Sequence, residues 1–272
     1  MRRARAVCID TKRDEIASEA IGALGRTTLG TRPSATQHQR ETFFLHNTRS
    51  LMHGYALLFC NGEPPKRAFA KKLAAGASFI AAADGGANIA RSCGVVPHLV
   101  VGDLDSVKSS TLTWFTSRRR PRTEVVHLTR QDNTDLEKAL DLFLEWGVTR
   151  ALLLGATGRR LDHTLGNLSV IWNYTQRIAI TVAGDDWTAL PIGTLKQVRA
   201  KRGTIVSIIP FGACSGVTLA GLRYPLTDAE MPVGSIGLSN VVVRSPFSIR
   251  VREGNLLMVV QADLFSLRIL SS

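Results

Sequence analysis

Two aspartates, Asp103 and Asp105, follow an apolar run that ends at Gly102. In an extended segment the side chains at i and i+2 point to the same side, so these carboxylates would repel each other at close range. A divalent cation would relieve that repulsion, because Mg²⁺ prefers carboxylate oxygens as ligands. An acidic turn open to water is the alternative, and the pair alone does not decide between the two.

Three further polar clusters follow apolar segments, and each contains at least one carboxylate. They are Asp84-Gly85-Gly86, Gln131-Asp132-Asn133-Thr134-Asp135 and Gly155-Ala156-Thr157-Gly158-Arg159-Arg160-Leu161-Asp162. In an open parallel sheet, ligands bind beyond the carboxyl ends of the strands. Carboxylates, glycine-rich turns, helix N-termini and an arginine on one such rim predict a site for Mg²⁺ and a polyphosphate.

Each cluster also has a purely structural interpretation. The segment 84–86 could form a tight strand-to-helix turn, because glycine reaches positive φ freely. Thr134 and Glu137 fit a capping box at the start of a helix. Asp162 could be a helix N-cap, or the partner of Arg160 in a surface ion pair that contributes little stability.

The elements that position these clusters follow two patterns along the chain. From Tyr55, short continuous apolar segments alternate with helical patterns, which predicts a parallel sheet covered on both faces. After about Ile178, short strands separated by Gly, Pro and Asn turns predict an all-β sandwich. We therefore predict an α/β fold class, with a parallel-sheet, Rossmann-like domain over residues 52–177 and a C-terminal all-β sandwich domain over residues 178–272.

The first 51 residues show no sustained periodicity and are rich in Arg, Thr and Ser. We expect residues 1–51 to be a disordered extension, or to precede a true start at Met52. A transit peptide is a third interpretation, although the acidic residues of this segment argue against one.

The composition restricts the partners of the chain. Its 272 residues carry a formal net charge of +12, which would attract nucleic acid but equally small anions such as nucleotides. The densest basic cluster, residues 118–122, has no interleaved aromatic residues and no nucleic-acid-binding motif, so we expect no nucleic-acid partner. No apolar run approaches the roughly 18 residues of a membrane-spanning helix. The four cysteines form no CxxC pair, which favours a reducing, cytoplasmic location.

An ordered set of motifs resembles the thiamine pyrophosphokinase (thiamine diphosphokinase) family. The motifs are DGGAN (84–88), GDLDS (102–106), QDNTDLEKAL (131–140) and GRRLDHTLGN (158–167). GLRYPL (221–226) and GLSN (237–240) are similar to C-terminal motifs of that family, so the resemblance covers about residues 55–262. It implies an α/β nucleotide-binding domain followed by a β-sandwich, assembled as a homodimer.

The resemblance also implies a reaction and a set of site residues. Thiamine would attack ATP, with Mg²⁺ as cofactor, to give thiamine diphosphate and AMP. The carboxylates for Mg²⁺ and catalysis would be Asp103, Asp105, Asp135 and Asp162. Contacts to ATP or to the transferring group would come from Asp84, Gly85, Gly86, Asn88, Gln131, Thr134 and Arg160. Thiamine would lie at the dimer interface near Tyr224, Ser239 and Asn240.

Some roles and two rival functions stay open at this point. Spacing to Asp162 favours Arg160 over Arg159 as the phosphate contact, and both Asp105 and Asp135 are candidates for the general base. A DxD-type metal-dependent nucleotidyl- or glycosyltransferase would explain one acidic cluster but not the other three. A basic nucleic-acid-binding protein without ATP turnover is the non-enzymatic rival.

Overall fold

The computed structural model describes residues 54–117, 123–129 and 132–270, which all belong to one compact unit. The predicted N-terminal extension, residues 1–51, lies outside the described residues. So do Gln131 and the basic cluster 118–122.

Six strands pair in parallel in one part of a ten-stranded sheet. They are β1 (Ala56–Phe59), β2 (Phe79–Ala83), β3 (Leu99–Gly102), β4 (Glu124–His127), β5 (Arg150–Leu154) and β6 (Ala179–Ala183). Their spatial order is β4-β3-β2-β1-β5-β6. All residues of β1, β2 and β3 are buried, as expected for apolar strands covered on both faces.

Five helices connect these strands. They are α1 (Arg67–Gly76), α2 (Gly86–Ser92), α3 (Ser109–Thr116), α4 (Asp135–Glu145) and α5 (Leu161–Tyr174). Residues of α1, α2 and α3 share a core with Leu57 and Phe59 on one face of the sheet. On the other face Phe79 contacts Phe143 and Trp146 edge to face. The predicted α/β pattern is confirmed, and no helix within the described ranges is long and apolar enough to cross a membrane.

The remaining strands are antiparallel. They are β7 (Thr188–Ile192), β8 (Leu195–Arg199), β9 (Ile205–Pro210), β10 (Cys214–Ala220), β11 (Leu226–Met231), β12 (Asn240–Val241), β13 (Phe247–Arg250), β14 (Leu256–Val260) and β15 (Arg268–Leu270). The first sheet continues past β6 through β7, β14, β9 and β12, and the other five form a second sheet in the order β11-β10-β13-β8-β15. Among the described residues of this part of the chain, the helical content is one short 3₁₀ helix, Leu264–Ser266.

The second sheet packs on the antiparallel end of the first. Ile192, Ile208 and Met258 from the first sheet share one apolar core with Phe247 and Ile249 from the second. An antiparallel C-terminal sheet was therefore correctly predicted. The strands that it packs against, however, do not form a separate sheet, because they continue the α/β sheet.

Strand β6 differs from the prediction, which placed it in the β-sandwich. It pairs in parallel with β5 because α5 carries the chain back to the edge where β5 began. Its short apolar sequence is compatible with a parallel sheet and with an antiparallel sandwich, since the pattern of one strand does not show which strand it pairs with. The first sheet thus crosses residue 178, and the domain boundary at that point stays a prediction.

His98 connects β2 to the start of β3, and we expect it to make the fold sensitive to acid. Its Nδ1 accepts a hydrogen bond from Ile80 N at 3.0 Å, and its ring stacks on Phe79. Burial lowers the pKa of His98, so protonation is unfavourable in the folded state. The unfolded chain binds that proton near the ordinary histidine pKa of about 6.5, so stability is lost as the pH falls through this value.

We expect His98→Asn, which keeps an acceptor for Ile80 N, to reduce this acid sensitivity. Urea unfolding of both proteins from about pH 7.5 to about pH 5 should show a larger loss of unfolding free energy in the wild type. Parallel pH profiles for the two proteins would contradict this assignment.

Candidate active site

A cleft of about 560 Å³ lies where the chain leaves the carboxyl ends of β1, β2, β3 and β5. The four polar clusters singled out in the sequence all contribute to its lining. The predicted site residues found there are Asp84, Asp103, Asp105, Thr134, Asp135 and Arg160. The cleft thus brings six residues from four separate segments into one cavity.

Three carboxylates form the centre of the cleft. Asp84, Asp103 and Asp105 each place an oxygen within 4.8 Å of the other two. Asp105 N donates to Asp103 Oδ1 at 3.3 Å. The extended geometry assumed for this pair was wrong, because β3 ends at Gly102 and Leu104 has a φ of 65°. A left-handed residue, rather than strand alternation, brings the two carboxylates together.

Asp84 connects the end of β2 to the loop that follows β3 through side-chain hydrogen bonds. It is 3% exposed, and its Oδ1 accepts from Ser106 N at 3.3 Å and Val107 N at 3.2 Å. Burial raises the pKa of Asp84, and hydrogen bonds from the Gly85 backbone and from Ser106 oppose this effect. Asp84 therefore belongs to the carboxylate group rather than only to a turn.

The two glycines after Asp84 do not line the cleft, and packing against the backbone requires glycine at position 86. Gly85 has a φ of −57°, and the positive φ of this turn, 40°, lies at Asp84. The expectation that glycine supplies the positive φ here was therefore wrong. A Cβ at Gly86 would overlap the carbonyl oxygen of Phe59, and one at Gly85 would overlap the side chain of Asn61.

Asn88 also serves the loop rather than the cavity. Its Oδ1 accepts from Lys108 N at 3.0 Å, and its Nδ2 donates to Ser106 O at 2.9 Å. The oxygen and the nitrogen of the side-chain amide thus both hold the segment that carries Asp103 and Asp105. Asn88 is thus placed to act on a ligand through this loop.

The N-terminus of α4 presents Thr134 and Asp135 to the cleft. Thr134 Oγ1 accepts from Glu137 N at 3.2 Å and Glu137 Oε2 accepts from Thr134 N at 2.8 Å, which confirms the capping box. Asp135 Oδ1 accepts from Asp103 N at 3.3 Å and from Lys138 Nζ at 2.9 Å. The helix start therefore links a fourth carboxylate to the central three.

Arg159 and Arg160 both line the cleft but differ in their partners. Arg159 Nη1 donates to Asn61 Oδ1 at 3.4 Å. Arg160 Nε donates to Asp162 Oδ1 at 3.1 Å, and this interaction lowers the pKa of Asp162 to about 2. Arg160 occupies the N-cap position of α5, so the N-cap interpretation of Asp162 was wrong. Asp162 lies outside the carboxylate group of three and outside the cleft lining.

Sequence reasoning missed several residues of the cavity. Asn61 follows β1 in the same way that the other clusters follow their strands, so the strand-end signal was present. Thr164 and Asn167 lie on one face of α5 at helical spacing and bind Gly158 N and Ala156 O. No pattern in the sequence indicated that Lys138 lines the cavity, because a lysine inside an amphipathic helix is expected to be solvent-exposed.

The three residues predicted to contact thiamine lie in the C-terminal part of the chain and do not line the cleft. Tyr224 is 61% exposed and Ser239 is exposed, whereas Asn240 is 2% exposed. Asn240 Oδ1 accepts from Tyr224 N at 3.0 Å, and Nδ2 donates to Tyr224 O at 2.8 Å. Asn240 therefore fixes the backbone that carries Tyr224.

Fold and cleft define an α/β protein with carboxylates and arginines in a cleft beyond the carboxyl ends of a parallel sheet, which is where ligands bind in such folds. Residues 70–182 match the family model for the thiamin pyrophosphokinase catalytic domain, and residues 194–256 match the model for its vitamin B1 binding domain. The chain belongs to the thiamine pyrophosphokinase family.

Individual relatives agree with this assignment. The chain is 28% identical to thiamine pyrophosphokinase of Bacillus subtilis over 62% of its own length and 81% of that protein. It is 30% identical to thiamine pyrophosphokinase 1 of Oryza sativa over 54% of its length and 59% of that protein. The crystal structure of thiamin pyrophosphokinase from Geobacillus thermodenitrificans is similar with a TM-score of 0.66 at 25% identity, covering 78% of this chain and 99% of that one.

Proposed function

We propose that the chain is a thiamine diphosphokinase, which transfers the pyrophosphoryl group of ATP to the hydroxyl of thiamine. The observation that carries this proposal is the cluster of Asp84, Asp103 and Asp105 in the cleft. The chain that forms this cleft also matches both domain models of the family. Carboxylates that face a polyphosphate require a cation between them, and the two arginines of the cleft can neutralise further charge.

The residues of the cleft fit Mg²⁺. This ion is bound in proteins by one or two carboxylates together with phosphate oxygens, and oxygens of Asp84, Asp103 and Asp105 lie close enough to share one ion. Asp135 lies beside them and would complete the set. When held by these carboxylates, Mg²⁺ would offset the negative charge that develops on the phosphate oxygens of ATP.

In the reaction, the hydroxyl oxygen of thiamine forms a bond to the β-phosphorus of ATP. The bond from the β-phosphorus to the bridging α–β oxygen breaks, AMP leaves with that oxygen, and the hydroxyl proton is released. Asp105 and Asp135 are the candidate acceptors of this proton. Thr134 at the helix start and Arg159 and Arg160 at the rim would orient the phosphates, so most of the rate gain comes from positioning and electrostatics.

The role of Asp162 follows from its contact with Arg160. The resemblance places Asp162 among the metal ligands, whereas its carboxylate here pairs with the guanidinium. We infer that Asp162 orients Arg160 toward the phosphates. Gln131, which lies outside the described residues, stays a predicted phosphate contact. Asn88 would support ATP binding indirectly, by holding the loop that carries Asp103 and Asp105, and Gly85 and Gly86 by letting the turn after Asp84 pack closely on Asn61 and Phe59.

Thiamine binding is proposed at a homodimer interface. Exposed apolar side chains support such an interface, both beside the cleft at Leu161 and Leu165 and in the C-terminal part at Val233 and Ile236. An interface of this kind would bring the exposed ring of Tyr224 from one protomer toward the cleft of the other. The ring offers a π face for the pyrimidine of thiamine.

The finer features of architecture and location stay proposals as well. We propose a Rossmann-like nucleotide-binding domain over residues 52–177 and a β-sandwich for thiamine and dimer contacts over residues 178–272. The free thiols of Cys60, Cys93 and Cys214 support a cytoplasmic location. No nucleic-acid partner is proposed.

Gly102 offers a test of the cleft's geometry. It has a φ of 148°, and a Cβ there would lie 2.9 Å from both Asp135 Oδ1 and the Cβ of Asp84. We expect Gly102→Ala to push these residues apart and to lower turnover by up to about 10²-fold, since a displacement of about 1 Å in a catalytic site can have an effect of this size. Steady-state AMP formation measures the change.

Gly203→Ala is the matched control for Gly102→Ala. Gly203 has a φ of 87°, and a Cβ there would meet no described atom within 4 Å, so the substitution introduces backbone strain without touching the cleft. Equal losses of activity in both variants would show that backbone strain alone causes the loss in Gly102→Ala.

An assay of AMP release from ATP and Mg²⁺, with and without thiamine, tests the proposed function. We expect AMP to form only when thiamine is present. Release of pyrophosphate or a nucleoside diphosphate from another donor would indicate the DxD-type transferase. Salt-sensitive binding to DNA or RNA without any AMP would indicate the non-enzymatic rival.

A further inference from the structure

Lys138 lies in the wall of the carboxylate cleft, one helical turn after Asp135, and its side chain is 2% exposed. Its Nζ donates to Asp135 Oδ1 at 2.9 Å and lies 3.9 Å from Asp103 Oδ2. A buried ammonium is unfavourable unless carboxylates compensate its charge. The ammonium is therefore part of the cleft's charge balance, although no bond-making step of pyrophosphoryl transfer needs it.

Four carboxylates lie close together in this part of the cleft. They belong to Asp84, Asp103, Asp105 and Asp135. Like charges at such separations repel strongly when they are partly removed from water. Lys138 supplies one positive charge to two of these carboxylates from inside the protein. A metal ion would act on the same negative charge from the side of the cavity, so ammonium and metal compete for it.

We propose that Lys138 is a positioning residue that weakens the binding of Mg²⁺ to the cleft in the absence of nucleotide. The metal then enters together with the phosphates of ATP, whose oxygens restore the negative charge that the ammonium has neutralised. Mg²⁺ readily takes phosphate oxygens as ligands, which makes this joint entry favourable. The inference rests on the proposed function, because it assigns the metal a nucleotide as partner.

Calorimetric titration of the full-length protein with MgCl₂, without nucleotide, tests this inference. We expect Lys138→Met to bind Mg²⁺ about tenfold more tightly than the wild type, because a like charge close to the ion has been removed. Lys138→Arg keeps the charge and should bind as the wild type does. Lys138→Gln removes the charge but keeps a donor for Asp135, so it carries the test if Lys138→Met does not fold.

A repeat titration in the presence of a non-hydrolysable ATP analogue gives the second readout. We expect the difference between wild type and Lys138→Met to shrink there, because the phosphates supply the missing negative charge. Unchanged or weaker Mg²⁺ binding by the folded Met and Gln variants would overturn the inference, since loss of a merely structural contact predicts weaker binding. Absence of Mg²⁺ binding in every form would overturn it equally.

These titrations involve neither thiamine nor turnover. Failure of the proposed function would appear as a lack of thiamine-dependent AMP, while tighter Mg²⁺ binding by the variants would still be observed. The two failures are therefore distinguishable.

Discussion

Replacing Asp103 by asparagine is expected to lower the formation of thiamine diphosphate by about 10²–10³-fold, the size of effect seen when one group that stabilises transition-state charge is removed. The carboxylate of Asp103 belongs to the group of three that can share a metal ion. An asparagine keeps the shape and one oxygen, which can still accept from Asp105 N. The variant should therefore fold normally and lose charge at one point of the cleft. Steady-state kinetics over a range of Mg²⁺ concentrations measure this loss.

Asp186→Asn is the matched control for Asp103→Asn. Asp186 is exposed in the loop between β6 and β7 and does not line the cleft, so its neutralisation should leave turnover near that of the wild type. Circular dichroism and thermal unfolding establish whether each variant is folded. Loss of folding in Asp103→Asn, or near-normal turnover at saturating Mg²⁺, would contradict the role of Asp103 as a metal ligand.

Removing the ring of Tyr224 is expected to raise the KM for thiamine while leaving the KM for ATP unchanged. Stacking of a base on an aromatic side chain contributes about 1–3 kcal/mol, which corresponds to roughly a five- to 150-fold change. Tyr224 is 61% exposed, so its ring is accessible to a ligand or to a partner surface. Tyr224→Ala tests the loss, and Tyr224→Trp, which keeps a π face, is the control that should retain binding.

Asn240→Ala should produce the same selective rise in the KM for thiamine, although the Asn240 amide is buried. It makes three hydrogen bonds in this region, two to the backbone of Tyr224 and one from Val241 N at 2.9 Å. Their loss would release the Tyr224 backbone and leave buried groups unpaired, at about 1–3 kcal/mol of stability. Thermal unfolding gives the stability change, and kinetics give the KM values. A normal KM for thiamine in both alanine variants would place thiamine elsewhere.

Much of the site could be predicted because parallel strands bring their carboxyl ends to one edge of a sheet. This rule alone predicted that the segments holding Asp84, Asp103 and Asp135 meet. The capping box of α4 was predictable too, since it depends on two side chains three residues apart. Local spacing and a general rule of topology were sufficient in these cases.

The remaining features depend on long-range contacts that no local pattern encodes. The left-handed turn at Leu104 replaces the expected strand geometry, and Asp84 and Asn88 from another segment hold the backbone of Ser106 two residues later. The buried position of Lys138 depends on Asp103, which lies 35 residues earlier by sequence number. Likewise, Asn240 was predicted as a ligand contact, and its hydrogen bonds to Tyr224 become visible only when β12 is in place.

The fate of isotopic label from [γ-³²P]ATP tests the central claim most directly, because only pyrophosphoryl transfer places the γ-phosphate together with the β-phosphate on the acceptor. With Mg²⁺ and thiamine, we predict label in thiamine diphosphate and one AMP for each labelled product. Asp103→Asn should form both products slowly and in the same ratio. Label in thiamine monophosphate with ADP as the second product, or label only in inorganic phosphate, would contradict the account.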